Sequence, residues 1–258
     1  MKALKTNLVY VFITVFSLIC FSSHGQFLDC STGLLQMPSA ELYPSGTFMI
    51  TNCLLNKHTI PENYWGYNTF GYGFDITFLS RLEVYYTCIL FDGKKKANPS
   101  ERDLIMFNQD RHIGAKVLLT KEGDFGIRWL PNIVLGANDI DSDMFGERHG
   151  NGFFTRIYAV ASKRFYPRIG EIGFHIGYQF NKWTVYPLYG PMAAIDWCPI
   201  WLQKEEVVKT KLIAEYDAHT FNVGAIVSLW KDHIEAMVEL QALKYVSAGI
   251  RFKTVLKS

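Results

Sequence analysis

From Thr69 to Phe78 the chain alternates without a break. Phe70, Tyr72, Phe74, Ile76 and Phe78 take one parity, and Thr69, Gly71, Gly73, Asp75 and Thr77 take the other. A period of two means a strand with one apolar and one polar face, because successive side chains of an extended chain point to opposite sides. The next segment repeats it, with Leu82, Val84, Tyr86, Cys88 and Leu90 set against Arg81, Glu83, Tyr85 and Thr87. Ile172 to Phe180, Ile234 to Gln241 and Val246 to Phe252 follow the same rule. Less regular strands are expected over 46–55, 111–120, 126–137, 153–164, 190–197, 206–216 and 220–230. The total is about 12 strands.

Two architectures suit so many antiparallel strands, a soluble sandwich and a membrane barrel. Three features favour the barrel. The strands run to about 10 residues, enough to cross an outer membrane when tilted. One face is almost wholly apolar and aromatic, an area that a water-soluble monomer would not leave open. The other face carries Gly, Thr, Gln and charges, which suits a crowded lumen. The predicted fold is therefore all-β, an antiparallel up-and-down transmembrane β-barrel. Tight turns are expected at Tyr216–Thr220 and Trp230–His233, and long loops at Asp92–Asp110 and Asn138–Asn151.

The first 25 residues read as a secretory signal. Lys2 and Lys5 precede a 14-residue apolar core from Leu8 to Phe21, and Ser23-His24-Gly25 offers small residues for cleavage before Gln26. An uncleaved anchor and a lipoprotein signal at Cys20 are the other readings of this segment. Residues 26–45 form a turn-rich segment that would plug the lumen or cap one mouth, and residues 46–258 form the barrel. Pro38 fixes its own φ and pushes Met37 toward an extended conformation, while Tyr43-Pro44-Ser45-Gly46 suits a turn.

Loss of the signal removes two lysines and no acid, so the formal charge falls from +2 to zero. A neutral chain has no field to gather nucleic acid, and none is expected as a partner. Cys30, Cys53, Cys88 and Cys198 remain, at spacings that fit no zinc pattern. Buried thiols and a disulfide framework are both compatible with them.

Charges on the polar face are the lumen-facing candidates: Asp75, Arg81, Glu83, Lys116, Arg128, Arg156, Lys209, Lys211, Glu215, Glu235, Glu239 and Arg251. Mixed signs suit either a lumen closed by salt bridges or a polar conduit. Lys94-Lys95-Lys96 reads as a solvated loop that could meet anionic lipid or polysaccharide. The chain lacks the common hydrolase, phosphate-binding and zinc motifs. His149-Gly150-Asn151-Gly152 has no serine within it, and the acids from Asp139 to Asp143 read as a solvated loop rather than a calcium site. No catalytic residue, metal or cofactor is assigned.

GLLQMPSAELYPSGTF resembles the N-terminal signature of the YjbH family of outer-membrane proteins at Gly33, Pro38, Ser39, Ala40 and Gly46. IVLGANDI with FFTRIYAVASKRF is similar to the family's paired strands, at Leu135, Gly136, Asp139, Ile140, Ala161, Ser162 and Lys163. LIAEYDAHTF resembles its Glu-Tyr-Asp turn at Glu215, Tyr216 and Asp217. The better-known members are longer. The resemblance implies a non-catalytic outer-membrane barrel of a Gram-negative bacterium that assists exopolysaccharide or capsule secretion or surface assembly. Outer-membrane lipid, an exopolysaccharide and other export proteins would be its partners. A pore for a small solute is the alternative, and an outer-membrane lipid- or sugar-modifying enzyme ranks behind it.

Overall fold

The computed structural model describes residues 29–60, 66–91, 108–139, 153–181, 188–202 and 209–256. The signal segment, Lys94-Lys95-Lys96, Ile140 to Asp143 and His149 to Gly152 lie outside these residues.

Among the described residues, twelve strands follow in chain order: β1 (Thr47–Leu55), β2 (Thr69–Phe78), β3 (Leu82–Phe91), β4 (Asn108–Thr120), β5 (Asn132–Asn138), β6 (Arg156–Phe165), β7 (Gly170–Phe180), β8 (Gly190–Pro199), β9 (Lys209–Tyr216), β10 (Phe221–Leu229), β11 (Ile234–Gln241) and β12 (Tyr245–Val255). Each pairs antiparallel with its neighbours, and β1 closes on β12 with Thr47 opposite Val255. Closure leaves no sheet edge, which a bilayer would leave unsatisfied.

The alternation sorts the two faces. On β2, Thr69, Gly71, Gly73, Asp75 and Thr77 are buried, whereas Phe74 and Phe78 are exposed. On β7, His175 and Gln179 are buried while Phe174, Ile176 and Tyr178 are exposed. The outer wall is thus apolar and aromatic. At the end where β1 starts and β12 ends, here the near end, Phe125, Trp129, Tyr166, Trp201 and Trp230 stand exposed as a girdle. Aromatic rings of this kind sit at the headgroup level of transmembrane barrels.

Inside, glycine makes room for tyrosine. A Cβ at Gly114 would fall 2.2 Å from the Tyr85 ring, and one at Gly136 would fall 2.2 Å from the Tyr158 ring. In each case the tyrosine is the glycine's direct cross-strand partner. The Gly-rich inner face is therefore a seat for large inward rings.

One strand boundary and two lumen assignments are corrected. The strand expected over 126–137 begins only at Asn132, because Gly123 (φ 86°), Phe125 (φ 56°) and Gly126 (φ 71°) turn the chain before it. Arg128 therefore lies in the β4–β5 connection, exposed, and does not face the lumen. Arg81 likewise lies in the β2–β3 turn, where it pairs with Asp124 at 2.9 Å instead of facing inward. The expected tight turns lie at opposite ends: 217–220 at the far end, where β3 and β5 also finish, and Trp230–His233 at the near end.

Candidate lumen site

Residues 29–43, the hook, cross the barrel interior from the far end to the near end. Leu34, Leu35, Met37 and Ala40 are fully buried there. A chain segment in a lumen cannot join the wall's ladder, so wall side chains must satisfy its backbone groups. The contacts run along the whole hook.

At the far end the Asp29 carboxylate pairs with Arg156 and accepts from Asn138 Nδ2 at 3.0 Å. Arg156 also donates to Gln179 at 2.8 Å and lies 5.2 Å from the Tyr158 ring centre. One turn further, Thr32 donates to Glu83 through its N–H at 2.8 Å and its hydroxyl at 2.5 Å. Lys116 caps the Thr32 carbonyl at 2.5 Å and lies 3.5 Å from Glu83.

Gly33 and Pro38 bridge to each other and fold Leu34 to Met37 into a turn. Its N–H groups converge on one carboxylate. Glu215 accepts from Leu35 at 2.9 Å, Gln36 at 2.6 Å and Met37 at 3.2 Å. Successive backbone N–H groups aimed at one anion form an anion-binding nest. Here the nest belongs to the hook and the anion to the wall. Glu239 accepts from the Gln36 amide at 2.7 Å beside it.

Ala40 N–H donates to Ser162 Oγ at 2.9 Å. Ser162 in turn is hydrogen-bonded to His175 Nδ1 at 2.8 Å, and His175 Nε2 to Asp196 at 2.6 Å. All three side chains are buried. They come from β6, β7 and β8, with Ser162 directly opposite His175. Arg164 and Lys211 flank Asp196 at 3.2 and 3.7 Å.

Toward the near end Glu41 is gripped by Arg164, with one contact at 2.7 Å, and faces Lys211 at 3.7 Å. Burial pushes its carboxyl up, but Lys211 and Arg164 outweigh burial and hold it below the usual range. Tyr43 donates to Glu235 at 2.5 Å beneath Lys253, whose ammonium is 4.1 Å from the ring centre. Burial and then Glu235 push its phenol well above the usual value. A cavity of about 380 Å³ opens between the hook and β6–β12, lined by Glu41, Tyr43, Lys209, Lys211, Glu235 and Lys253 among others.

Of the lumen candidates, Asp75, Glu83, Lys116, Arg156, Glu215, Glu235, Glu239 and Arg251 are buried inside. Lys211 is partly covered, and Lys209 stands exposed at the cavity. The signature residues divide. Gly33, Pro38, Ser39, Ala40, Ser162 and Glu215 meet at the hook, with the Ser39 carbonyl 3.4 Å from Lys116 Nζ. Gly46 (φ 82°) turns the chain into β1. Ala161 is half-buried in β6, Lys163 pairs with Glu122 at 2.8 Å, and Tyr216 packs on Phe221. Asp217 holds the β9–β10 turn through the His219 and Thr220 N–H groups. Sequence reasoning missed Asp29, Glu41, Arg164, His175, Asp196 and Lys253 as a set. Strand parity turns Arg164, His175, Asp196 and Lys253 inward, but it does not reveal which of them meet.

The sequence profile of the YjbH family, described as exopolysaccharide biosynthesis protein YbjH, matches residues 26–186. No curated protein matches the chain. Among solved structures, a triple mutant of the Rhodopseudomonas blastica porin is similar at 9% identity and a TM-score of 0.30, over 72% of this chain and 55% of the porin. A double mutant of that porin is also similar, at 9% identity and a TM-score of 0.30, over 82% of this chain and 75% of the porin. The chain thus spans about half the length of the first of these porins.

Proposed function

Because the chain belongs to the YjbH family of exopolysaccharide biosynthesis proteins, we propose that it is a non-catalytic outer-membrane barrel that assists export or surface assembly of an exopolysaccharide. In this reading a cleaved signal delivers it, and the hook is a plug that must shift before a polymer can pass. The observation that carries the reading is the manner of holding. The hook is fixed by its backbone to wall side chains, chiefly Glu215, Glu83, Lys116 and Ser162, rather than by continuing the sheet. Such contacts can be exchanged for sugar hydroxyls, which offer the same donors and acceptors. The test is the surface polysaccharide of a deletion strain against its complemented parent. Loss restored by complementation supports export. Unchanged polymer, together with steady ion conductance of the purified protein, moves the reading to a solute pore.

One observation favours a second reading. Ser162, His175 and Asp196 are hydrogen-bonded in series like the groups of a serine hydrolase, in which the base takes the nucleophile's proton and the acid orients the base, but with the two imidazole nitrogens exchanged, Nδ1 on the serine and Nε2 on the acid. Against it, Ser162 is 1% exposed and its oxygen is occupied by Ala40 N–H, so the series serves as the seat of the hook. A fluorophosphonate probe separates the two readings. Labelling of Ser162 in a variant lacking residues 29–43 supports the hydrolase, and absence of labelling supports the seat.

A further inference from the structure

Cys30 lies near the start of the hook, and Cys53 faces inward on β1. The two are 0% and 1% exposed. Both are free thiols in this structure, and they interact directly. Three glycines of the wall make the space. A Cβ at Gly73 would fall 2.5 Å from Cys30 Cβ, one at Gly71 would fall 3.0 Å from Cys53 Sγ, and one at Gly249 would fall 2.7 Å from Cys53 Cβ. The backbone at Cys30 is in the left-handed region (φ 56°), which a residue with a β-carbon rarely adopts. Thr51 and Arg251 hold it there, each donating to the Cys30 carbonyl at 3.3 Å. The orientation of Cys30 is therefore set from both sides. The other two cysteines are engaged elsewhere. Cys88 meets Tyr72, and Cys198 lines the near-end cavity.

We propose that Cys30 and Cys53 are joined by a disulfide in the exported protein, which staples the hook to the first strand. The proposal rests on the reading that the chain is exported, because oxidising compartments form and keep such bonds. The chemistry balances with a protein disulfide as oxidant. One thiolate attacks it to give a mixed disulfide, and the second thiolate then displaces the oxidant. Two protons and two electrons leave the pair, and the oxidant becomes a dithiol. Timing follows from the environment. Once the hook is seated both thiols are buried, out of reach of an oxidant. The bond must form during assembly. After closure it is sheltered from reductants and limits how far the hook can travel. The hook's far-end half stays tethered while the Glu215 and Glu41 contacts remain free to exchange.

Cells are quenched in acid, outer membranes are isolated, and the denatured protein is alkylated with a maleimide before and after reduction, followed by peptide mapping. The expected result is a Cys30–Cys53 crosslinked peptide, with both positions modified only after reduction. In the Cys30→Ser variant, Cys53 should react without reduction. Full modification of both cysteines in the unreduced outer-membrane protein overturns the proposal. Should the chain fractionate away from the outer membrane, the export reading fails instead, and the pair is then decided on purified protein refolded in oxidised and reduced glutathione. There the same crosslink sustains the proposal, and any other pairing or none overturns it.

Discussion

Glu215 bears the largest share of the hook's backbone. It is the acceptor for three consecutive N–H groups, and a buried donor left without a partner costs about 1–3 kcal/mol. Glu215→Ala should therefore free the Leu34–Met37 turn, and ion current through single proteins in planar bilayers should change from closed to flickering. A current trace identical to the parent's would remove Glu215 from the hook's attachment. Gly136 makes the opposite kind of test. Its missing Cβ is the space that Tyr158 fills, so Gly136→Ala should destabilise the barrel by about 1–3 kcal/mol. In a Tyr158→Ala background the same substitution should cost less, read as the change in the temperature at which the folded band disappears on a semi-native gel. The ion pair at Glu41 sets a pH dependence. Its carboxyl is held below the ordinary value of 4.5, so the stabilisation is present above that value and is lost as the pH falls through the depressed one. Protection of the hook amides near Glu41 against hydrogen exchange, corrected for the intrinsic exchange rate at each pH, should be lost in the parent protein as the pH falls through the depressed value. In a Glu41→Gln variant that protection should be low at every pH.

At the scale of the element, the strands and their turns follow different rules. The β2–β3 turn places Leu79 (φ 51°) and Ser80 (φ 54°) in the left-handed region, and the β11–β12 turn does the same with Ala242 (φ 50°) and Leu243 (φ 57°). In these three-residue connections, turns whose two central residues are both left-handed match the twist of the flanking strands, and such positions normally use Asn or Gly. Leu243→Gly should thus leave the fold intact and stabilise it by up to about 1 kcal/mol, measured on the same gel. The outer face obeys depth. Ile176 is 65% exposed in the middle of β7, where a bilayer is driest. Ile176→Arg should cost about 2–4 kcal/mol in refolding into lipid vesicles, whereas Phe165→Arg, at the near end of β6, should cost about 0–1 kcal/mol.

At the scale of the whole molecule, closure of β1 on β12 gives one wall with two solvents, lipid outside and a polypeptide inside. The period-two pattern settled the class of the fold, because in a strand the face that a residue occupies is fixed by parity alone and needs no distant partner. That is why Glu83, Lys116, Arg156, Glu215 and Arg251 could be turned inward from their neighbours' identities. Parity fails where the strand has ended. Arg81 and Arg128 have the right type of side chain but sit in connections whose left-handed residues carry no periodic mark. The partners of the hook depended on tertiary structure entirely. Leu35 meets Glu215 across 180 positions, and Asp29 meets Arg156 across 127. Cys30 reaches Cys53 only because Gly71, Gly73 and Gly249 come together in the closed wall. Ser162, His175 and Asp196 are ordinary polar residues on three strands until register sets them in line. Local periodicity determines faces. Which faces meet is set by register and closure, which sum small terms along twelve strands and leave no mark at any single position.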